Sequence, residues 1–383
     1  SDLVSINAPV TGSNYSLTVP ANNATLITSD GGAITGNVAI SGNLSVSGNN
    51  INPFGGMRNR IINGNMVIDQ RNAGASVTVP AATGTYGVDR FACWTAQASK
   101  LTVQQNAGSV TPPAGFSKYL GFTTASAYTA GAGDYYLTVQ KIEGFNMSDL
   151  AWGTASAKTV TVSFWVRSSL TGTFAGAIEN GSTNRSYVFT YSISSSNTWE
   201  YKTITIPGDT SGTWPTDNTE FGELKWDLGA GSNYQTSSGA WTSGDYFTTS
   251  GTVKVVANAG ATWYITGVQL EVGTQATPFD WRPYGQELAL CQRYFLGATF
   301  ATGTTYSTTT INAQFFFPVE MRTSPSVSAY PSGTFTITQF GSGDFNSTSP
   351  GSVSVAATKH GAKCDMSGFT GLTAYRPMAL WSI

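Results

Sequence analysis

The side chains most often used for catalysis are scarce in this chain. It has one histidine, His360, and three cysteines, Cys93, Cys291 and Cys364, among 383 residues. The cysteines are far apart and form no CxxC pair, so the sequence predicts neither a zinc cluster nor a disulfide framework. A single histidine also excludes a two-histidine metal site, and it leaves His360 as the only histidine that could serve as a catalytic base. Most hydrolase mechanisms are therefore disfavoured.

The densest group of chemically capable residues is the stretch 209–227, in which carboxylates alternate with aromatic rings. Carboxylates accept hydrogen bonds from sugar hydroxyls, and aromatic faces stack on the C–H faces of pyranose rings. The same oxygens could bind a structural calcium ion, although no D-x-D-x-D-G loop is present. A solvated loop above packed aromatics is the alternative. The candidate glycan-binding residues here and just beyond are Trp214, Trp226, Tyr234 and Trp241.

Two predicted strands contribute a second set of candidates. In Val160 to Arg167, the even positions are apolar, so Trp165 and Arg167 lie on the opposite, polar face. In Asp134 to Ile142, the same alternation places Tyr136 and Gln140 together on one face. We expect these four residues to form a platform for a glycan if the two strands are adjacent. The alternative is that a neighbouring strand or protomer covers them.

The elements that must position these residues are predicted to be β-strands. Short runs of Val, Ile, Thr, Tyr and Trp, separated by Gly, Pro, Asn and Ser, extend from Val77 to Val272, as is typical of an antiparallel sandwich. One helix is predicted at Gln286–Tyr294, and a shorter turn or helix at Met147–Trp152. Strand patterns resume near Ile311, which indicates a small C-terminal β domain. The predicted fold class is all-β.

The first 57 residues differ from the rest because they contain no Lys or Arg, and only Asp2 and Asp30 are charged. A six-residue period appears at 36–47, where Gly-Asn corners separate alternating apolar residues. A ribbon this thin cannot bury its apolar positions against itself, so we expect it to stack with identical chains. A disordered linker is the alternative.

This N-terminal pattern resembles the shaft and attachment segments of bacteriophage tail fibres, which are generally trimeric. Further blocks resemble a module of phage tail fibre and receptor-binding proteins that is similar in layout to the jelly-roll carbohydrate-binding modules of glycoside hydrolases. These blocks are Asn52–Met66, Gln140–Gly144, Lys158–Val166, Trp199–Gly208, Tyr264–Gly273 and Trp281–Phe295. A short, degenerate match at Phe317–Pro325 resembles C-terminal regions of phage tail proteins.

The resemblance implies three domains: an N-terminal virion-attachment and trimerising β segment at 1–51, a jelly-roll domain at 52–285, and a linker helix with a β tip at 286–383. It also implies a homotrimer in the virion that contacts other virion proteins through its N-terminal segment. No cofactor is expected beyond a structural calcium ion, which such modules often carry.

The expected function is non-enzymatic attachment to a glycan or envelope receptor on the bacterial host. Charged residues make up 10% of the chain and the net charge is −2, so nucleic acid is not an expected partner. No run of eighteen apolar residues occurs, so membrane insertion is not expected either. The alternatives are a capsid-decorating or tail-scaffolding fibre with little receptor binding, and a depolymerase with a pair of catalytic carboxylates.

Overall fold

A computed structural model describes residues 57–297, 300–326, 335–339, 343–347, 353–370, 372, 374 and 377–382. The described chain is almost entirely β-structure, which confirms the predicted all-β class. The predicted N-terminal shaft and its hexads lie outside the described residues. The chain divides into two units, Ser1–Pro53 and Phe54–Ile383, and everything below concerns the second.

Thirteen described strands precede the one described α-helix, and five short 3-10 turns lie among them. The strands are Val77–Thr78 (β1), Thr85–Val88 (β2), Phe91–Thr95 (β3), Leu101–Gln105 (β4), Leu120–Thr124 (β5), Tyr136–Glu143 (β6), Val160–Ser168 (β7), Gly172–Asn180 (β8), Arg185–Ile193 (β9), Glu200–Ile206 (β10), Glu220–Asp227 (β11), Trp241–Ser243 (β12) and Thr262–Val272 (β13). The 3-10 turns are Ala107–Ser109, Gly144–Asn146, Ser148–Leu150, Ser232–Tyr234 and Val255–Ala257.

These strands form two antiparallel sheets. Sheet A has the order β1-β4-β5-β13-β7-β10, and sheet B has the order β12-β9-β8-β11-β6-β3-β2. The sheets pack face to face, since Phe164 of β7 and Trp226 of β11 meet with ring centroids 5.6 Å apart in one core cluster. The body is therefore an antiparallel β-sandwich.

Strand alternation determines which residues enter the core. On β7, Val160, Val162, Phe164 and Val166 are completely buried, whereas Trp165 and Arg167 lie on the opposite face and are partly exposed, as predicted. On β11, Leu224 and Trp226 face the core, whereas Glu223 and Lys225 lie on the outer face of sheet B. Both sheets therefore carry aromatic or charged side chains on their outer faces.

The one described α-helix, Tyr284–Gln292 (α1), lies two residues closer to the N-terminus than the predicted span Gln286–Tyr294. Cys291 packs there with Ile62 and Ile68, which precede the first strand. The described residues that precede β1, from Met57 onward, thus pack against α1. No described helix is long and apolar enough to cross a membrane.

Beyond α1 the chain forms a third antiparallel sheet, which confirms the predicted β-structure near the C-terminus. Its strands are Phe300–Thr305 (β14), Thr310–Phe316 (β15), Phe335–Gln339 (β16), Gly343–Ser347 (β17), Val353–Ala357 (β18), Gly361–Ser367 (β19) and Pro377–Ser382 (β20), in the order β17-β16-β20-β14-β15-β19-β18. Ile311, Ala313 and Cys364 are fully buried in its separate core.

Candidate functional site

The outer face of sheet B carries a groove of about 250 Å³ that sequence analysis largely missed. We call it the aromatic groove. Its lining combines aromatic rings, aliphatic side chains and charged groups, the composition expected of a small-molecule site. The lining residues are Trp94, Tyr135, Leu137, Val139, Lys141, Glu223, Lys225, Tyr234, Asp245 and Phe247.

Three partly exposed rings face this groove. Trp94 projects from β3, Tyr135 directly precedes β6, and Tyr234 belongs to the connection between β11 and β12. The rings of Tyr135 and Tyr234 meet edge to face, with centroids 6.1 Å apart. No described residue accepts a hydrogen bond from the indole N–H of the partly exposed Trp94, so this group can donate to a ligand.

Close backbone approach supports two of these rings. A Cβ atom on Gly84 would lie 2.8 Å from Cζ2 of Trp94, so the indole rests directly on the Gly84 backbone. A Cβ atom on Gly231 would lie only 2.0 Å from the carbonyl oxygen of Gly131, which means that the turn carrying Tyr234 packs against another loop without room for a side chain. Glycine at these positions lets the rings occupy the groove.

The loop that carries Tyr234 and Phe247 is organised by the buried carboxylate of Asp227. Oδ1 accepts hydrogen bonds from the backbone N–H groups of Gly229 and Ala230, at 2.7 and 2.6 Å. Oδ2 accepts from Thr248 Oγ1 at 2.6 Å and from Lys254 Nζ at 3.0 Å. Phe247, only 1% exposed, is thereby held with its ring 5.0 Å from that of Tyr234.

Charged side chains of alternating sign line the floor of the aromatic groove. Lys225 Nζ lies 2.5 Å from Glu179 Oε2 and 2.8 Å from Glu223 Oε2, and Lys141 Nζ lies 2.8 Å from Glu223 Oε1. Lys141 continues the chain to Glu220, also at 2.8 Å. Cross-strand pairing produces this arrangement, because Lys141 of β6 lies directly opposite Glu223 of β11.

Burial and neighbouring charges together set the pKa values of these groups. Glu179 has no exposed surface, and burial raises its pKa to about 8 against the opposing effect of Lys225. Burial also raises the pKa of Glu223, but Lys225 and Lys141 outweigh it and lower that pKa to about 2. Burial lowers the pKa of Lys225, yet its surrounding carboxylates raise it above the ordinary value. The lysines remain charged at neutral pH.

Of the predicted glycan-binding residues, Tyr234 lines the aromatic groove and four others are buried. Tyr136 and Trp226 are fully buried in the sandwich core, which corrects the prediction that a sugar could stack on them. Gln140 is also buried, and the backbone of Ile62 satisfies its side-chain amide. Gln140 Oε1 accepts a hydrogen bond from the Ile62 N–H and Gln140 Nε2 donates one to the Ile62 carbonyl, both at 2.8 Å. Trp214 is 7% exposed, and its indole N–H donates to Ser211 and Asp209.

Trp165 and Arg167 lie on the other side of the molecule from this groove, on the outer face of sheet A. The prediction that Tyr136 and Gln140 join them is therefore wrong, since β6 and β7 belong to different sheets. Trp165 stays partly exposed beside Tyr201, with ring centroids 5.3 Å apart. This pair remains a second candidate platform. Trp241 is also partly exposed, but its N–H donates to Pro207 and its ring packs against Tyr187.

The acidic stretch 209–227 does not fold into a calcium-binding loop, because its carboxylates already have protein donors. Asp209 forms two hydrogen bonds with Arg185, at 2.6 and 2.9 Å, and Asp217 accepts from Thr219. Glu220 and Glu223 pair with lysines, as described above. Within the described residues, no three His, Cys, Asp or Glu side chains are grouped so as to hold a metal ion.

Comparisons with solved structures find carbohydrate-binding modules and a phage protein. The enzymatically active domain of a bacteriophage CBA120 tailspike is 14% identical, with a TM-score of 0.29 over 56% of this chain and 22% of that chain. The family 11 carbohydrate-binding module of Clostridium thermocellum is 13% identical, with a TM-score of 0.25 over 54% of this chain and all of that chain. A putative sugar binding protein of Bacteroides thetaiotaomicron is 11% identical, with a TM-score of 0.31 over 56% of this chain and all of that chain.

No protein-family model and no curated protein matches the chain. At these identities and TM-scores, the similarity assigns no ligand to this chain.

Proposed function

We propose that the protein binds a glycan along the outer face of sheet B. The observation that carries this proposal is the aromatic groove, in which the partly exposed rings of Trp94, Tyr135 and Tyr234 lie beside charged groups. A sugar needs both features, because its C–H faces pack on aromatic rings while its hydroxyls require donors and acceptors. The indole N–H of Trp94 and the carboxylate of Asp245, whose side chain is 44% exposed and whose Oδ1 lies 3.7 Å from Lys225 Nζ, supply one of each.

Binding without cleavage is the activity that this geometry favours. A glycosidase needs two carboxyl groups that reach the scissile bond from either side. The lining of the aromatic groove contains two carboxylates, Glu223 and Asp245, and Glu179 lies fully buried against Lys225. Glu223 is held between two lysines, so Asp245 is the one groove carboxylate left to act, and a single carboxylate cannot reach the bond from both sides. We therefore propose a binding protein, with a depolymerase as the alternative that the assay below addresses.

We further propose that the chain is a virion fibre of a bacteriophage, a homotrimer that attaches to a glycan on the host surface. The Gly-Asn hexads at 36–47 and the resemblance of the separated sequence blocks support this role. Trimerisation would strengthen shallow binding through effective concentration. A capsid-decorating or tail-scaffolding fibre is the alternative, and cryo-microscopy of the particle would distinguish them, because density on the capsid shell would contradict the attachment role.

A glycan array and binding to host envelope polysaccharide test the proposed function. The full chain should bind a subset of glycans, and the Trp94→Ala/Tyr234→Ala variant should lose that binding while its unfolding temperature stays near that of the wild type. A Trp281→Ala variant is the matched control, since Trp281 is 53% exposed and lies outside the groove. Reducing ends released from a bound polysaccharide would contradict the non-enzymatic proposal, and binding that survives the double substitution would contradict the site.

A further inference from the structure

A larger cavity of about 720 Å³ adjoins the aromatic groove, and we call it the seam cavity. It lies between the outer face of sheet B and the chain that follows α1, and it shares Trp94, Val139 and Lys141 with the groove. A ligand that occupies the groove therefore has a continuous path into the seam cavity.

The seam cavity is lined by more cations than carboxylates. Two of its cations are already neutralised. Arg293 makes two hydrogen bonds to Glu143, at 2.6 and 3.0 Å, and Lys141 Nζ lies 2.8 Å from Glu220 Oε2. These pairs account for both carboxylates in the lining. They leave Arg90 and Arg322, which form no ion pair with a carboxylate in the part of the chain that the structure describes.

Arg90 is 9% exposed, which is unusual for a guanidinium without a carboxylate partner. It lies over the ring of Tyr294, with Cζ 3.5 Å from the ring centroid, and it donates one hydrogen bond to the carbonyl of Lys141. Its buried Nε has no partner. A buried charge is expensive unless paired, so an anion in the cavity would supply what the protein lacks.

Arg322 lines the same cavity and is held in place. Its Nη1 donates to the carbonyl of Asn218 at 3.1 Å, and the Asn218 amide donates to the Arg322 carbonyl at 2.9 Å. Its positive charge also contributes to the lowered pKa of Glu143, for which the Arg293 and Tyr294 hydrogen bonds outweigh burial. Two fixed guanidinium groups thus line one cavity, and guanidinium groups are well suited to carboxylate and phosphate.

We propose that the seam cavity binds an oxyanion carried by the glycan, a carboxylate or a phosphate, between Arg90 and Arg322. This inference rests on the proposed function, and it specifies that function further: the ligand is an acidic glycan whose neutral part lies in the aromatic groove. The sandwich and the chain after α1 then bind one ligand together.

The test compares each acidic probe with its neutral counterpart by isothermal titration calorimetry at low salt. The probes are trigalacturonate and its methyl ester, and mannose 6-phosphate and mannose. At least one acidic probe should bind about tenfold more tightly than its neutral partner, as expected for a charge-assisted hydrogen bond. The carboxylate and phosphate arms identify which oxyanion is preferred.

Substitutions assign the preference to the two arginines. Arg322→Gln and Arg90→Gln should each remove most of the preference for the acidic probe. Arg322→Gln is the safer variant because Arg322 is less buried. Arg167→Gln is the matched control, since Arg167 lies on the outer face of sheet A and should leave the preference unchanged.

The results also separate this inference from the proposed function. If trigalacturonate and its methyl ester bind equally well and Trp94→Ala abolishes the binding of both, the oxyanion site is overturned and the proposed glycan binding still stands. If the preference for an acidic probe depends on the two arginines but not on Trp94, the oxyanion site is supported and glycan binding in the aromatic groove is contradicted. Absence of binding by both acidic probes at millimolar concentration overturns the inference.

Discussion

Replacing Trp94 by alanine removes the largest exposed ring of the aromatic groove. A sugar on one face of the indole would cover about a third of the roughly 150–250 Å² that a tryptophan offers. At about 25 cal/mol per Å², this contact contributes about 1.3–2 kcal/mol, which corresponds to a roughly 10- to 30-fold weaker Kd in Trp94→Ala. Losing the free indole donor can only increase this effect.

The matched control is Trp165→Ala, which removes the same side chain from the outer face of sheet A. Titration calorimetry or biolayer interferometry with a glycan identified on the array should give less than a twofold change for this variant. Unfolding midpoints of both variants should be measured alongside, so that lost binding is not confused with lost folding. The reasoning is refuted if Trp165→Ala abolishes binding while Trp94→Ala retains it.

Three further predictions concern the groove and its support. Lys225→Met leaves Glu179 buried without its partner and Glu223 paired with Lys141 alone, and it should lower the free energy of unfolding by about 3–5 kcal/mol in urea titrations, whereas a loss under 1 kcal/mol contradicts the pairing. Because the folded pKa of Glu223 lies below its ordinary value, its contribution is complete above about pH 5 and is lost as pH falls toward 2; Glu223→Gln should show a shallower acid loss of stability. Gly231→Ala forces a Cβ atom against the Gly131 carbonyl and should weaken glycan binding and lower the free energy of unfolding by about 1–3 kcal/mol in urea titrations, and unchanged binding and stability would contradict the close packing of this turn.

The sequence was sufficient to predict the fold class because period-two alternation reports burial directly. On β7 one face is uniformly apolar, so the split between Phe164 and Trp165 could be assigned without coordinates. The helix near Gln286 and the C-terminal strands followed from equally local patterns. The predicted domain limits at 51 and 285 stay predictions.

The ligand face of β6 could not be assigned in the same way, because both of its faces contain apolar and polar residues. Tyr136 and Gln140 looked like the exposed set, but Gln140 is buried where its amide satisfies the backbone of Ile62, 78 residues earlier. Only a long-range contact of this kind shows which face is interior. The opposite face, with Leu137 and Val139, lines the groove.

The charge network required strand order and register, which the sequence does not give. In the sequence, Glu223 appears only as part of an acidic stretch, and nothing there marks Lys141 or Lys225 as its partner. A usable signal was present, since Glu223 and Lys225 alternate with Leu224 and Trp226 and therefore share the outer face. On β3, Trp94 likewise follows the buried Cys93 and therefore lies on the outer face.

The most direct test of glycan binding on sheet B is a structure of the full chain with a bound oligosaccharide. The account predicts a sugar ring stacked on Trp94 within the aromatic groove, near Tyr135 and Tyr234. An oligosaccharide stacked instead on Trp165 and Tyr201, with the outer face of sheet B unoccupied, would contradict it.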